Sequence, residues 1–553
     1  MVLDAAYDPG MARLRSQALV GRAGAQTARR LHLPFALAIA CAACVLSACG
    51  TTRLDVPRPV TEAWPTPADT PIARAYAAQL AGHEGRSGLH ALPSGMDALG
   101  TRAALAEAAQ HTLDLQYYIL RGDTTTQLLM ARVLRAAQRG VRVRLLVDDL
   151  DAAGKDLDLA TLAGFANIQV RVFNPFSSRG AFGLSQVIEF IGSSQRLNRR
   201  MHNKLWIADN AMAVIGGRNL GDEYFDASGE VNFSDLDMLV AGPAVSEISH
   251  SFDTYWNSEW SVPIQAFVPA LPSADDLARF ELGLRRRVEG FRDSDYARAL
   301  RDSGLGIALR SGNIPLTVAP VEILADAPTK VASAQANGGG QSLFAARIRP
   351  IVAKATRELI LISPYFIPSD DGLDALGALA RRGVRVRVLT NSLASADVVP
   401  LAHAGYARRR ERLLAAGLEL HEMRPERLES MRSRLGSSSG AYLHTKAIVI
   451  DRQHVVVGSM NLDPRSRLSN TEIGLLAESS ELGATIGRLF DDAVRPSRAF
   501  RVSLTGPDGG NAQMRWATEE NGQPVVYEVE PLVSVWRRMF SRLLGAVAPE
   551  DLL

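Results

Sequence analysis

Cysteine is almost absent from this sequence. The chain of 553 residues contains three cysteines, Cys41, Cys44 and Cys49, and all three lie within the first fifty residues. The rest of the chain therefore cannot form a disulfide framework, a cysteine-ligated zinc site or a thiol nucleophile.

Net charge, aromatic residues and long apolar runs are also scarce. The net charge is +2 and aromatic residues make up 6% of the chain. A nucleic-acid-binding body would be strongly basic, with aromatic side chains for base stacking, so the composition gives no indication of a nucleic-acid partner. Beyond the N-terminal region no apolar run reaches the roughly 18 residues that span a membrane. With 47% hydrophobic and 22% charged residues, the chain is predicted to be globular, with two domains.

The N-terminus has the pattern of an export signal. Arg29 and Arg30 precede an apolar run at 31–46, whose length suits the core of a signal peptide. The run ends in Leu46-Ser47-Ala48-Cys49 followed by Gly50, which resembles the bacterial lipobox, where the cysteine becomes the lipidated first residue of the mature protein. An ordinary signal peptide or a membrane anchor is the alternative. The sequence thus predicts that lipidated Cys49 attaches the protein to the membrane surface in the bacterial envelope, at the outer membrane facing the periplasm.

The body of the chain contains one structural plan twice. A strand, a helix and a second strand are predicted at 113–120, 125–140 and 141–149, and again at 359–368, 372–383 and 384–392. Strands that alternate with helices predict an α/β fold in which a mostly parallel sheet is flanked by helices. We expect two pseudo-symmetric domains that share one active site.

Composition and the repeat also predict the domain boundaries. We expect a signal peptide at 1–48, a tether at 49–75, an N-terminal domain at 76–268, a connecting segment at 269–345, a C-terminal domain at 346–500 and a tail at 501–553. The tail should include an amphipathic helix, because its apolar and basic residues fall on different faces at helical spacing. The apolar set is Leu532, Trp536, Met539, Phe540 and Leu543, and the polar set is Arg537, Arg538, Ser541 and Arg542. Docking on the protein body and lying at a membrane surface are the two fates open to such a helix.

Each half carries the same set of polar residues at the same spacing. The first half has His202, Lys204, Asp209, Gly217 and Asn219, and the second half has His444, Lys446, Asp451, Ser459 and Asn461, each 242 residues later. A single His-x-Lys pair is commonly structural. Two complete copies in one register indicate a common function.

The residue types suit the chemistry of a phosphate ester. Residues two apart on a strand project from the same face, so each histidine should lie beside its lysine. Two lysines, two asparagines and the small residues Gly217 and Ser459 can surround one phosphate and neutralise it, so we expect no metal or other cofactor. The two histidines can then act as nucleophile and proton donor.

Each histidine needs a carboxylate to fix its tautomer. Glu472 is the candidate in the second half and Asp235 in the first, with Asp237 as the runner-up. Asp209 and Asp451 follow their lysines at a strand end, and we expect them to do mainly structural work.

The paired motifs resemble those of the phospholipase D superfamily, from about residue 89 to the C-terminus. More narrowly, TLDLQYYI, RLNRRMHNK, GGRNLGDEYF and LHTKAIVID are similar to the cardiolipin synthase C-like lipoproteins of bacteria. The resemblance implies that a phosphatidyl group moves through a phosphohistidine onto the alcohol of a second phospholipid, without a metal. It implies phosphatidylglycerol and phosphatidylethanolamine as substrates, His202 as the nucleophile and His444 as the acid and base.

Other functions remain open at the level of the sequence. A hydrolase would use water as the acceptor, a nuclease or other phosphodiesterase could use the same site, and a lipid-binding or scaffold protein would need no chemistry. The composition disfavours the nuclease, and the intact motifs disfavour a protein without activity. Two segments could contact lipid: the apolar stretch 181–192, and a basic stretch with His403, Tyr406 and Arg408 to Arg410, which could instead be a helix face.

Overall fold

A computed structural model describes residues 56–65, 69–152, 154–176, 199–268, 270–311, 313–331, 342–395, 400–425, 442–505 and 513–547. The predicted signal peptide, Cys49, the apolar stretch 181–192 and the Gly-rich stretch 332–341 lie outside these ranges. Within them, no helix combines the length and the apolar character that crossing a membrane requires.

The helices of the described residues flank the sheets and are numbered in chain order. They are α1 (Pro71–Leu80), α2 (Gly95–Ala108), α3 (Thr124–Gln138), α4 (Asp149–Ala152), α5 (Asp156–Ala163), α6 (Ala244–Trp256), α7 (Ala274–Phe291), α8 (Asp295–Asp302), α9 (Gly304–Ser311), α10 (Leu343–Val352), α11 (Asp370–Arg381), α12 (Pro400–Ala415), α13 (Pro464–Leu468), α14 (Ser480–Ala493) and α15 (Val535–Val547).

The strands of the described residues form two large sheets and one short pair. They are β1 (Ser87–Leu92), β2 (Thr112–Tyr117), β3 (Arg142–Asp148), β4 (Ile168–Phe173), β5 (Leu205–Ala208), β6 (Met212–Gly216), β7 (Phe233–Ser234), β8 (Asp237–Ala241), β9 (Ser261–Pro263), β10 (Thr317–Ala319), β11 (Val321–Ala325), β12 (Glu358–Ile362), β13 (Arg385–Asn391), β14 (Glu419–Met423), β15 (Tyr442–Leu443), β16 (Ala447–Ile450), β17 (His454–Gly458), β18 (Ile473–Glu478), β19 (Ala499–Thr505), β20 (Gln513–Glu520) and β21 (Gln523–Tyr527).

The repeated strand–helix–strand unit begins and ends its helix in the same way in both halves. Helix α3 starts where the side chain of Asp123 accepts a hydrogen bond from the Thr126 amide, and Ser369 caps α11 in the same manner. Each helix stops before a glycine with positive φ, 99° at Gly140 and 88° at Gly383. These local signals explain why the sequence predicted β2, α3, β3 and β12, α11, β13 closely.

The two large sheets have matching strand orders. Within the described residues the first sheet runs β10-β1-β8-β6-β5-β2-β3-β4-β9, and the second runs β11-β18-β17-β16-β12-β13-β14-β19-β20-β21. Helices from the same half cover the outer face of each sheet, in two separate hydrophobic cores. The expected α/β class with two pseudo-symmetric domains is confirmed.

The prediction that the sheets are mostly parallel is wrong. In the described parts of the two large sheets, only the central strands β2-β3-β4 and β12-β13-β14 pair in parallel, and every other pairing is antiparallel. The type of connection between consecutive strands explains the mixed pairing. Helical crossovers link the three central strands, whereas tight turns link β5 to β6 and β16 to β17 and force antiparallel pairing.

The inner faces of the two sheets share one hydrophobic core. Ile207 and Val240 of the first half belong to the same buried cluster as Ile360 and Val449 of the second half. Helices α6 and α14 contribute to this cluster from opposite halves. The halves therefore pack against each other through apolar surface, and the edge of this shared core is where the two motifs meet.

The segments outside the two predicted domains take part in the sheets. The predicted connecting segment supplies β10 to the edge of the first sheet and β11 to the edge of the second. The predicted tail supplies β20 and β21, and β19 begins just before it, so the second sheet extends to Tyr527. Helix α15 follows and contacts α12.

Candidate active site

The two histidine–lysine motifs lie immediately before strands β5 and β16, rather than on strands as the spacing predicted. His202 and Lys204 precede Leu205, and His444 and Lys446 precede Ala447. The backbone amide of the histidine in each segment is bonded to the opposite half. This arrangement places each motif at the boundary between the halves.

Each histidine is bonded to a carboxylate of the other half. Nδ1 of His202 lies 2.9 Å from Oε2 and 3.2 Å from Oε1 of Glu472. Nδ1 of His444 lies 2.5 Å from Oδ2 of Asp235. The sequence found both carboxylates but assigned them by half, and gave no indication that the pairs cross.

Backbone hydrogen bonds hold this crossing in place. The amide of His202 donates to the carbonyl of Thr471 at 2.9 Å, and the amide of His444 donates to the carbonyl of Ser234 at 2.8 Å. The short pair β7–β15 aligns Leu443 with Ser234. Each motif is thus bonded to the residue that precedes its carboxylate partner, which fixes the register of both pairs.

The lysines are buried beside the histidines. Lys204 and Lys446 are 1% and 3% exposed, and each ammonium donates to the backbone carbonyl of its own histidine. Burial lowers the pKa of Lys204 well below its usual value, although Glu472 opposes the effect. Burial also lowers the pKa of Lys446 to about 8, against the opposing charge of Asp235. Two cations in one buried pocket attract an anion strongly.

Both imidazoles are held in the neutral form. Burial lowers the pKa of His202 well below its usual value, and the charges of Lys204 and Lys446 act in the same direction. Burial and Lys446 lower the pKa of His444 to about 3, although Asp235 opposes them. A neutral imidazole is the form that a nucleophile or a general base requires.

The two carboxylates differ in their protonation. Burial raises the pKa of Glu472 to about 7, with Lys204 opposing. Burial acts in the same direction on Asp235, but the charge of Lys446 and the hydrogen bond with His444 outweigh it and hold its pKa below the usual value. Near neutral pH, Asp235 is therefore ionised, whereas Glu472 titrates.

Gly217 and Ser459 occupy equivalent positions beneath these carboxylates but interact with them differently. A Cβ atom at Gly217 would lie 2.2 Å from Oδ1 of Asp235, so only glycine leaves room for this side chain. The hydroxyl of Ser459 instead donates to Glu472 and accepts a bond from the amide of Ile473.

The two asparagines of the motifs differ in their contacts. Asn219 donates to the hydroxyl of Tyr224 at 2.9 Å. Asn461 is 5% exposed, and its Oδ1 has no hydrogen-bond partner among the described residues.

Aromatic side chains that were not predicted from the sequence line the site. Tyr118 presents an edge to His202, with ring centroids 5.0 Å apart, and the Nζ of Lys204 lies 5.2 Å from the same ring. Tyr224 presents an edge to His444 at 5.2 Å, and Phe233 lies 5.3 Å from it. Tyr118 could have been identified from its position directly after β2, because this end of the strand lies at the edge of the sheet where the motifs meet.

Asp209 and Asp451 bind backbone amides at equivalent places in the two sheets. Asp209 accepts hydrogen bonds from the amides of residues 110–112, which lead into β2. Asp451 accepts bonds from the amides of residues 356–358 at the start of β12. Both residues adopt positive φ, 53° and 52°. These contacts organise strands, as the expected structural role requires.

The runner-up carboxylate and the basic stretch both belong to buried structural networks. Asp237 pairs with Arg102 at 2.9 Å rather than with a histidine. Arg410 pairs with Glu422 and Glu530, and His403 lies 3.5 Å from Glu530. Glu530 of the tail therefore occupies the side of this stretch that carries His403 and Arg410, and these two residues are structural, whereas Arg408 is exposed.

No group of three or more His, Cys, Asp or Glu side chains with the geometry of a metal site occurs in the part of the chain that the structure describes.

Comparisons with known proteins identify the family to which the chain belongs. A family model described as "Cardiolipin synthase, PLD-like domain" matches residues 103–256 and 348–494. Cardiolipin synthase C of Escherichia coli (strain K12) is 38% identical over 475 residues, which cover 85% of this chain and 97% of that protein. Cardiolipin synthase A of Erwinia tasmaniensis is 26% identical, and the match covers 76% of this chain and 71% of that protein.

Among solved structures, the phosphatidylserine synthase of Haemophilus influenzae Rd KW20 is similar, with a TM-score of 0.51 and 12% identity, and the match covers 86% of this chain and 96% of that one. The repeated fold and the crossed motifs therefore define a two-domain phospholipase D-like protein. The chain belongs to the cardiolipin synthase family of that superfamily, and it is a phosphatidyltransferase of the phospholipase D type.

Proposed function

We propose that this protein makes cardiolipin by moving a phosphatidyl group through a phosphohistidine onto the hydroxyl of a second phospholipid. The observation that carries the proposal is the arrangement of two neutral histidines, each bonded to a carboxylate of the opposite half, around two buried lysines. With phosphatidylglycerol as both donor and acceptor, the second product is glycerol. With phosphatidylethanolamine as the donor, it is ethanolamine.

In the first step, the Nε2 atom of His202 attacks the phosphorus of the donor lipid. A phosphorus–nitrogen bond forms, the phosphorus–oxygen bond to the headgroup alcohol breaks, and His444 gives its proton to the leaving oxygen. The bond from Nδ1 to Glu472 directs Nε2 away from the carboxylate and toward the substrate.

In the second step, His444 takes the proton from the hydroxyl of the acceptor phosphatidylglycerol. The acceptor oxygen attacks phosphorus, the phosphorus–nitrogen bond breaks, and His202 returns to its neutral form. Lys204, Lys446, Asn219 and Asn461 hold the phosphoryl oxygens, on which charge develops in both steps.

Binding of the donor lipid favours the protonated form of His444 that the first step needs. Lys446 and Lys204 both lower the pKa of His444. A phosphate diester carries a negative charge, and when it binds the two ammonium groups it offsets their effect on the ring. The ionised Asp235 then stabilises the imidazolium, so His444 can be protonated when the donor is bound.

We also propose that lipidated Cys49 holds this activity at the outer membrane. The support is the lipobox-like sequence ending at Cys49. Labelled palmitate should enter the wild-type chain and not a Cys49→Ala variant, and wild-type protein without label would contradict the anchor.

The product test uses purified enzyme in mixed micelles. With phosphatidylglycerol alone, or with phosphatidylglycerol and phosphatidylethanolamine, we expect cardiolipin together with glycerol or ethanolamine, measured by mass spectrometry. A His202→Ala variant is the control for contaminating activity. Phosphatidic acid as the sole product in every lipid mixture would show that water is the acceptor and that the protein is a hydrolase.

A further inference from the structure

Helix α15 has the reverse of the usual arrangement for a helix on a globular protein. Its polar side faces the body: Ser541 is 6% exposed, and Arg537 donates to the carbonyl of Leu393 at 2.7 Å. Arg538 donates to the carbonyl of Glu530 at 3.1 Å. A helix on a water-exposed protein normally buries its apolar stripe and exposes its polar side.

The apolar side of α15 faces outward. Trp536 is 79% exposed, and its neighbours along the same stripe are each more than half exposed; they are Val535 at 59%, Met539 at 55%, Phe540 at 56% and Leu543 at 61%. The exposed apolar surface continues into the preceding segment through Val529 and Leu532. A contiguous patch of large apolar side chains on a protein surface marks a binding surface.

A short chain of contacts connects this helix to the candidate active site. Leu393, which accepts the bond from Arg537, follows strand β13. Asn391 at the end of β13 exchanges two hydrogen bonds, both 2.9 Å, with the backbone of Leu443. Leu443 directly precedes His444. The start of α15 is thus linked through two loop residues to the segment that carries one of the two histidines.

We propose that the apolar face of α15 inserts into the surface of a phospholipid membrane. The proposal rests in part on the proposed function, because a site that acts on membrane lipids must meet its substrates at a bilayer surface. Trp and Phe on one face with a basic residue nearby, here the exposed Arg542, are the composition of an interfacial helix that binds anionic lipid. The contact would be independent of any lipid anchor at Cys49 and would orient the site toward the bilayer.

The first experiment reads the position of Trp536 directly. The full-length protein is mixed with vesicles of phosphatidylglycerol and phosphatidylethanolamine whose acyl chains carry bromine, which quenches tryptophan fluorescence on contact. We expect quenching in the wild type and the loss of most of it in Trp536→Phe. Equal quenching of both proteins while they are bound to the vesicles would overturn the proposal.

The second experiment tests the effect on turnover. A Met539→Asp/Phe540→Asp double variant should turn over vesicle lipids roughly tenfold or more slowly than the wild type, because two large apolar side chains are replaced by charges. Its activity on a short-chain phospholipid dissolved as monomers should be unchanged, which also shows that it folds. Leu157→Asp, at an apolar position that is 66% exposed on α5, is the matched control and should retain vesicle activity.

Two further outcomes separate the alternatives. If the stripe instead binds a second copy of the chain, the wild type should be a dimer that the double variant dissociates, and bromine should not quench Trp536; that result would overturn the membrane proposal. If no phospholipid is turned over by any variant but Trp536 is quenched, the proposed chemistry fails and the membrane contact stands.

Discussion

The half-sites of His202 and His444 contain the same residue types and differ in what supports them. His202 bonds to a glutamate that also accepts from the hydroxyl of Ser459, whereas His444 bonds to an aspartate packed directly on Gly217. The longer carboxylate stands over the larger residue and the shorter one over glycine. The geometry at the two rings is therefore alike, although the protonation of the two carboxylates is not.

This difference supports different roles for the two histidines. Asp235 is ionised near neutral pH and can stabilise a positive charge on His444, which a general acid must carry. The pKa of Glu472 is raised to about 7, so it supplies less negative charge to His202. A nucleophile that is neutral when it attacks must be oriented with Nε2 toward the phosphorus, and the hydrogen bond to Glu472 provides this orientation.

The largest expected effects come from replacing the two histidines, because the two variants should fail at different steps. His202→Ala should lower turnover by roughly 10⁶-fold with any substrate, because the attacking atom is lost. His444→Ala should still react with a substrate that has a nitrophenol leaving group, which needs no proton, and should release one nitrophenolate per enzyme before it stalls. Rapid-mixing absorbance and peptide mapping of the phosphorylated site measure both effects. A burst from His202→Ala, with label on His444, would show that the roles are reversed.

Replacing the carboxylates tests whether the pairs cross between halves in solution. Glu472→Gln and Asp235→Asn should each lower turnover by roughly 10⁴-fold, because the tautomer of the partner histidine is no longer fixed. Asp235→Asn should keep the nitrophenolate burst, as His444→Ala does, and Glu472→Gln should slow it. The same stopped-flow assay measures both. If Glu472→Gln keeps the burst and Asp235→Asn loses it, each carboxylate serves the histidine of its own half.

Deprotonation of the buried Lys446 should set an upper pH limit on activity. The pKa of Lys446 is lowered to about 8, so kcat/KM should fall as pH rises through about 8 and the ammonium loses its proton. Lys446→Arg should be slower by roughly 10²-fold, because the longer side chain misplaces the charge, but its pH profile should lack this limb. Lys354→Arg, at an exposed position, is the control. A limb near pH 8 that persists in Lys446→Arg would assign it to another group.

The smallest expected effect is on the free energy of unfolding, and it should differ between the two aspartates that organise strands, Asp209 and Asp451. Glycine accepts positive φ without strain, so Asp209→Gly and Asp451→Gly remove the carboxylates alone. Asp209 is fully buried, and its loss should lower the free energy of unfolding by about 2 kcal/mol, because backbone N–H groups lose their partner. The Asp451 site is open to water, so its variant should lose about 1 kcal/mol or less. Urea denaturation measures both, and equal losses would contradict the burial argument.

The sequence predicted the local units of the fold and the residue types of the site. Helix caps, glycine stops and apolar strands are local signals, so β2, α3 and β3 were predicted within a few residues. The period of 242 residues predicted the pairing of the motifs. The antiparallel outer strands were missed because a buried strand has the same apolar pattern in either direction.

The crossing of the histidine–carboxylate pairs was not predictable, because it depends on contacts between distant segments. His202 and Glu472 are separated by 270 residues, and no periodicity relates them. The burial of Arg410 was missed for the same reason, since Glu530 arrives from the tail. The reacting groups could be identified from the sequence, whereas their partners depend on how the two halves pack.

The crossed pairs have a consequence for the protein while it is still folding. Its proposed substrates form the membrane around it, so a partly folded chain with one active half could damage that membrane. Because the carboxylate of each histidine belongs to the other half, a chain with one half folded has neither a supported nucleophile nor a supported acid. Chemistry can therefore begin only after the halves have docked and each carboxylate has reached its histidine.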